Sequence, residues 1–207
     1  MKHKLFFLVV LLSVSVFAQK GNFKKGYFVT FIGDKVECFI KDAKRKNDIQ
    51  NFKYKLLENG DVFTKGITEV KEYGISNKSK FIRQNVLLDF SNQLSTSRMP
   101  ELKEKRVFLR VLLDGPGAKL FVLKDGYNKK FFFSINNSTP EQLIYKKYKA
   151  STTEIGTNSY YKQQLINNLS CEIINKSKFN NTEYTEKQLL NIFKIYNECT
   201  GHQYTAY

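Results

Sequence analysis

The chain contains no tryptophan, two histidines, three cysteines and three prolines, and its 19 acidic residues are outnumbered by 34 lysines and arginines. Each scarcity excludes a chemistry. His3 lies in an apolar leader, so a processed chain keeps one imidazole, His202, close to its last residue. A serine or cysteine nucleophile activated by imidazole would have to use that residue. One histidine cannot build a His-rich zinc site, and no Cys-x-x-Cys pair offers zinc binding or thiol exchange. Gly115 and Gly117 form Gly-x-Gly without the third glycine and the helix start of a dinucleotide site. No catalytic, metal-binding or cofactor-binding residue is therefore read. Carboxylates alone can cleave glycosides when two acids flank the bond. Glu37, Asp89 and Asp114 are the candidates, and each reads more simply as a surface or turn residue.

Long apolar runs are absent except at the start. Lys2, His3 and Lys4 precede Leu5–Leu12, and Val16 and Ala18 are small enough for a signal peptidase to cut before Gln19. The run is too short for a membrane-spanning helix. Residues 1–18 are expected to be a signal peptide, and no membrane span is expected in the mature chain. Export then points to a periplasmic, outer-membrane-associated or extracellular location. The net charge of +15 comes mostly from scattered lysines, as at Lys24–Lys25, Lys44–Lys46, Lys129–Lys130 and Lys146–Lys147. Such a balance steers anionic partners. In an exported protein these are lipid headgroups or acidic glycans, and nucleic acid is not expected.

Residues 19–157 alternate apolar and polar side chains between turn signals, the mark of half-buried antiparallel strands. Gly33–Asp34 joins a strand to one carrying Val36, Cys38 and Ile40 on a single face. Phe52, Tyr54 and Leu56 repeat the pattern, with a turn at Glu58–Asp61. Ile82, Val86, Leu88 and Phe90 oppose Arg83 and Asp89, and Val107, Leu109, Val111 and Leu113 oppose Arg110. The Asp114–Gly115–Pro116–Gly117 turn reads as one in which glycine supplies positive φ. A hairpin at Asp125–Gly126 places Phe131, Phe133 and Ile135 inward. Thr139–Pro140–Glu141–Gln142 has the form of a helix start. Leu143–Tyr148 reads as a short turn leading into a strand, and Ser151–Asn158 as a loop.

Residues 158–207 change to helical spacing. Tyr161, Leu165 and Leu169 recur on one face, and Leu189, Ile192, Phe193 and Tyr196 form a second stripe behind a capping box at Thr185–Gln188. The predicted fold is α+β: a mostly antiparallel sheet, sandwich- or roll-like, followed by a two-helix tail packed on the same domain. Cys171 and Cys199 end the two predicted helices. A bridge between them, 28 positions apart, would contribute about 3–4 kcal/mol by the chain-entropy argument. Cys38 reads as a buried free thiol. Other pairings remain open at this level.

Several segments taken in order carry a likeness: Gly26–Tyr27–Phe28, Glu37–Cys38–Phe39–Ile40–Lys41, Phe52–Lys53–Tyr54–Lys55, Val70–Lys71–Glu72–Tyr73–Gly74–Ile75, Phe131–Phe132–Phe133–Ser134, Lys162–Gln163–Gln164–Leu165 and Tyr196–Asn197–Glu198–Cys199. Through them the chain resembles an uncharacterised family of exported proteins of flavobacteria-like organisms. The resemblance covers nearly the whole mature chain and implies a cell-envelope setting, with a module of this kind standing ahead of some outer-membrane β-barrels. Its motifs are structural and imply no active site. The functional expectation is an exported binding or interaction protein. Its partner would be an envelope or outer-membrane protein, or an anionic envelope glycan or lipid. A secreted carboxylate-dependent hydrolase such as a glycosidase, or a structural companion subunit of an outer-membrane complex, are the alternatives.

Overall fold

The computed structural model of the chain describes residues 22–42, 50–91, 94–125 and 128–207. The expected leader, the lysines at 44 and 46, and the Gly126 turn lie outside the described residues. Strands β1 (Phe23–Thr30), β2 (Lys35–Lys41), β3 (Asn51–Lys55), β4 (Phe63–Gly66) and β5 (Val70–Ile75) come first. Then follow β6 (Ser79–Asp89), β7 (Leu102–Asp114), β8 (Ala118–Asp125), β9 (Asn128–Ile135) and β10 (Glu141–Gln142). A separate hairpin, β11 (Lys146–Lys149) with β12 (Ile155–Asn158), leads to α1 (Tyr161–Asn168), α2 (Lys176–Asn180) and α3 (Glu186–Cys199). The last element, β13 (Thr205–Ala206), returns to pair with β7. The fold is α+β, with an antiparallel sheet ordered β10-β9-β8-β7-β6-β5-β1-β2-β3-β4 and helices at the C-terminal end.

The sheet is rolled at both ends. Phe52 on β3 and Tyr73 on β5 are three strand positions apart, about 14 Å in a flat sheet. Their rings instead stack at 4.2 Å. Phe28, Ile40, Phe52, Tyr54, Tyr73, Ile75 and Phe108 close into one core on this side. Toward the other end, Asp89 of β6 lies four strand positions from β10, yet its N–H meets Gln142 Oε1 at 2.9 Å. Val86, Leu88, Val107, Leu109, Val111, Phe121, Leu123 and Phe132 fill that second roll. Register shows the two rolls use opposite faces. Phe81 partners Arg110, so it shares a face with Phe108, whereas Ile82 partners Leu109.

Helices cover the face of β7–β9 that carries Leu112, Leu120, Val122, Phe131 and Phe133. Thr185 caps α3 by accepting from the Gln188 N–H, and Leu189, Ile192 and Phe193 are buried beneath it. Asn197, fully buried, fixes the far end of α3. Its Oδ1 accepts from Ala118 N at 3.2 Å, and its Nδ2 donates to Ala118 O at 3.0 Å and Phe193 O at 2.9 Å. Cys171 and Cys199 form a disulfide, with Cα atoms 6.4 Å apart. Glu186, in the first turn of α3, pairs with Lys129 at 3.0 Å and Arg110 at 3.7 Å, tying the helix start to the sheet.

Several local expectations are corrected. Thr139–Gln142 starts no helix. Leu143 N bonds to Phe131 O, and β10 pairs with β9, because the exposed edge of β9 claims the backbone first. Residues 155–158 are strand β12, paired with β11 through positions that lack an alternating apolar pattern. Leu56 lies beyond the end of β3 and is 51% exposed. Asp89 is buried and Phe90 exposed, the reverse of their expected faces, since β6 ends at Asp89 and its carboxylate organises the following turn. Gly115 and Gly117 do not take positive φ, which among the described glycines is found at Gly33 and Gly201. A Cβ at Gly115 would stand 2.3 Å from Asn197 Oδ1, so close approach of α3 is what requires glycine there. Helix α2, capped by Asn175, joins the two anticipated helices of the tail.

Candidate functional site

The seam where the sheet rolls back on itself leaves an open groove of about 760 Å³. Its apolar wall comes from Val86 and Leu87 of β6, Met99 and Pro100, Leu102, Ile144 and Tyr160. Leu87, Met99 and Tyr160 are more than half exposed. Arg98, Glu104 and Glu141 stand among them as charged groups. The wall containing Arg98 and Met99 is held by its backbone. Asn158 Nδ2 donates to Arg98 O at 3.0 Å, Lys146 Nζ to Met99 O at 2.7 Å, and Lys149 N to Ser95 O at 3.0 Å.

The floor of the groove is a strand edge. On one side β6 pairs with β7 from Phe81 to Asp89, while on the other its pairing with β5 stops at Ile82. Phe90 N bonds to Glu101 O, which turns alternate residues Asn85, Leu87 and Asp89 toward the unpaired side. At Asp89 that side is capped: its N–H reaches Gln142 Oε1, and its carbonyl accepts from Lys130 Nζ. The facing edge of β10 is capped too. Gln164, buried on α1, accepts from Ile144 N at 2.8 Å and donates to Gln142 O at 3.0 Å, so its amide replaces a peptide unit of a neighbouring strand. Among the described residues, no strand pairs with β6 at Asn85 and Leu87. An exposed strand edge beside apolar side chains is a template for one more strand.

Asp89 anchors the end of this edge as a carboxylate. Burial pushes its pKa up, but donation from Ser91 Oγ and N, the Lys130 charge and the Glu101 N–H outweigh that and hold it below the ordinary aspartate value. Tyr184 supports the opposite wall, accepting from Phe131 N at 3.0 Å and donating to Leu143 O at 2.8 Å. Burial drives its phenol well above the ordinary range. Tyr161, whose hydroxyl donates to Thr182 O, is pushed up to about 12 by burial first and then by Tyr145 and Glu183. These groups build the site and hold their protons or charges fixed.

The residues singled out in the sequence do not meet. Glu37 pairs with Lys35 at 2.8 Å on the surface of β2. Asp114 lies between Lys119 at 2.7 Å and Lys80 at 3.3 Å. Burial raises its pKa, and the two lysines outweigh burial and lower it. Neither Glu37, Asp89 nor Asp114 lines the groove, so the three acids form no pair there. His202 faces Thr200 Oγ1 at 2.9 Å and packs beside Gly117. Cys38 is buried and free, and burial, then Glu37, raises its thiol to about 11. Among the described residues no group of three or more His, Cys, Asp or Glu could hold a metal ion, and no helix is long and apolar enough to cross a membrane. The groove residues escaped the sequence reading. Their one signal was the consecutive apolar run Val86–Leu87–Leu88, which breaks the strand alternation and leaves Leu87 on the polar face.

No protein-family model, curated protein or solved structure matches this chain.

Proposed function

We propose that this is an exported cell-envelope interaction module that takes an extended segment of an envelope protein along the open edge of β6. The single observation that carries the reading is the uncapped edge at Asn85 and Leu87, set in an apolar groove whose neighbouring edges are sealed by Gln142, Lys130 and Gln164. Strand addition draws its affinity from main-chain hydrogen bonds and its selectivity from pockets for alternate side chains. Leu87, Met99, Leu102 and Tyr160 provide such pockets. Export rests on the leader read in residues 1–18.

A photo-crosslinking residue placed at Leu87 or Met99 in intact cells tests this reading. Adducts with an envelope protein are expected from both positions and not from Ile173, which is equally exposed on the tail. No adduct at the groove, or the same adducts from Ile173, removes the proposal. N-terminal sequencing of the secreted protein should begin at Gln19, and recovery of an uncut chain from the cytosol would overturn the envelope placement.

A second reading has one observation in its favour: Glu104 and Glu141 both line the groove. Two carboxylates are the minimal apparatus of a glycosidase. A hydrolase would turn over chromogenic glycosides and lose about a hundredfold or more of its rate in Glu104→Gln or Glu141→Gln. Absence of turnover leaves the interaction reading alone.

A further inference from the structure

Away from the groove, β1, β2 and β3 present one face to solvent while the other closes the aromatic core. Register lays out the open face. Lys25 partners Phe39, and Phe39 partners Lys55, so a ring lies between two cations in one row across three strands. In the adjoining row Phe23 partners Lys41. Lys55 Nζ stands 5.0 Å from the centroid of the Phe23 ring, and Lys53 lies on the same face as Lys55. Lys25, Lys41 and Lys53 are exposed and Lys55 half-buried. Among the described residues none of the four forms a salt bridge. Glu37, the carboxylate on this face of β2, is taken by Lys35. Four lysines are thus gathered here without a carboxylate partner among the described residues, Lys55 Nζ also reaching Glu58 O at 3.4 Å, with aromatic rings interleaved.

We infer that this face binds an acidic polysaccharide. Flanking lysines about 10 Å apart, two strand spacings, suit carboxylates placed at intervals along a polymer. Phe23 and Phe39, half-buried on the same face, set aromatic rings among these lysines, and rings so placed suit stacking on the apolar side of a sugar. An anionic bilayer fits less well. The chain's exposed apolar tips, Ile32 at 86% and Leu57 at 72%, stand beside Asp34, Glu58 and Asp61, which an anionic surface would repel. The inference is independent of the groove, since the two surfaces use different strands.

The test is calorimetric titration of the purified protein with polygalacturonate oligomers. Dextran, a single-stranded oligonucleotide and vesicles of phosphatidylglycerol in phosphatidylcholine serve as comparisons. Polygalacturonate should bind, more weakly as salt rises, and dextran should not. Changing Lys25, Lys41, Lys53 and Lys55 together to alanine should weaken binding about tenfold or more and flatten the salt dependence. Arginine at the same four positions should keep it. Alanine at Lys147, Lys149, Lys176 and Lys187 removes the same charge elsewhere and should change affinity less than about twofold. Matching melting curves establish that each variant is folded. Failure of polygalacturonate to bind, equal losses in the two alanine variants, or tighter binding to the oligonucleotide or the vesicles overturns the inference.

Discussion

Between Phe23 and Ile75 the sheet buries rings against rings, whereas from Ser79 onward it buries one face within its own roll and the other under helices. Tyr73 of the first region lies on Phe52, and its ring also stacks on Phe81 of β6 at 4.6 Å and meets Phe108 of β7 edge-on at 5.0 Å. Among the described residues no helix covers that cluster, and flat side chains span the space between the curled strands. The second region fills its roll mostly with aliphatic residues, Phe121 and Phe132 being the buried aromatic ones, and needs more than apolar contact to position its helices. Asn197 grips both polar groups of Ala118, Glu186 meets two cations, and the disulfide links the segment after α1 to the end of α3. The difference teaches that rolling a sheet secures its own core, while docking a separate layer calls for directional bonds at its ends.

The comparison can be broken most strongly at the two cores. Phe52→Ala and Phe193→Ala should each cost about 3–5 kcal/mol. If the regions are secured independently, hydrogen exchange will accelerate chiefly in β1–β5 for the first variant and in α1–α3 for the second. Uniform acceleration in both would show one cooperative unit. Reduction of Cys171–Cys199, or the double change to serine, comes next, at about 3–4 kcal/mol from the loss of a 28-residue closure. Chemical denaturation should register it, with the added exchange confined to the helices.

Acid should produce the smallest effect and sharpen the distinction. Asp89 and Asp114 both belong to the second region and have pKa values below the ordinary one. A depressed carboxylate contributes stability above its unfolded value, and this is lost as pH falls through the folded value. The midpoint of urea unfolding should therefore hold steady above pH of about 5 and decline below about 4. Asp89→Asn should flatten that decline. Glu69, in the first region, is also held low by the Gly66 N–H and Lys65, but it sits at the surface, where water screens the interaction.

Much of the fold could be read wherever one periodicity dominated. The alternation of Cys38 with Ile40 and of Val107 with Leu109 marked half-buried strands. The spacing of Leu189, Ile192 and Phe193 marked a helix. Reading failed where tertiary partners overrode a local pattern. Thr139–Gln142 carries helix-start residues but lies along the edge of β9. Phe132 is as buried as its neighbours because the roll covers the face that alternation assigned to solvent. The groove was less accessible still. Its walls come from β6, the segment before β7, β10 and the start of α1, which are far apart in the chain.

The sequence by itself determined the antiparallel pattern, the helical tail, the cationic excess and the scarcity of imidazole and thiol, because composition and short-range periodicity act along the chain. Only the tertiary structure decided which way the sheet rolls, and that roll decides which edges are capped. Among the described residues Asn85 and Leu87 are left open because the pairing of β5 with β6 stops at Glu72 and Ile82, while Gln142, Lys130 and Gln164 close the edges nearby. Lys25, Lys41, Lys53 and Lys55 gather on one face because strand register, a long-range property, sets Lys25 and Lys55 on either side of Phe39.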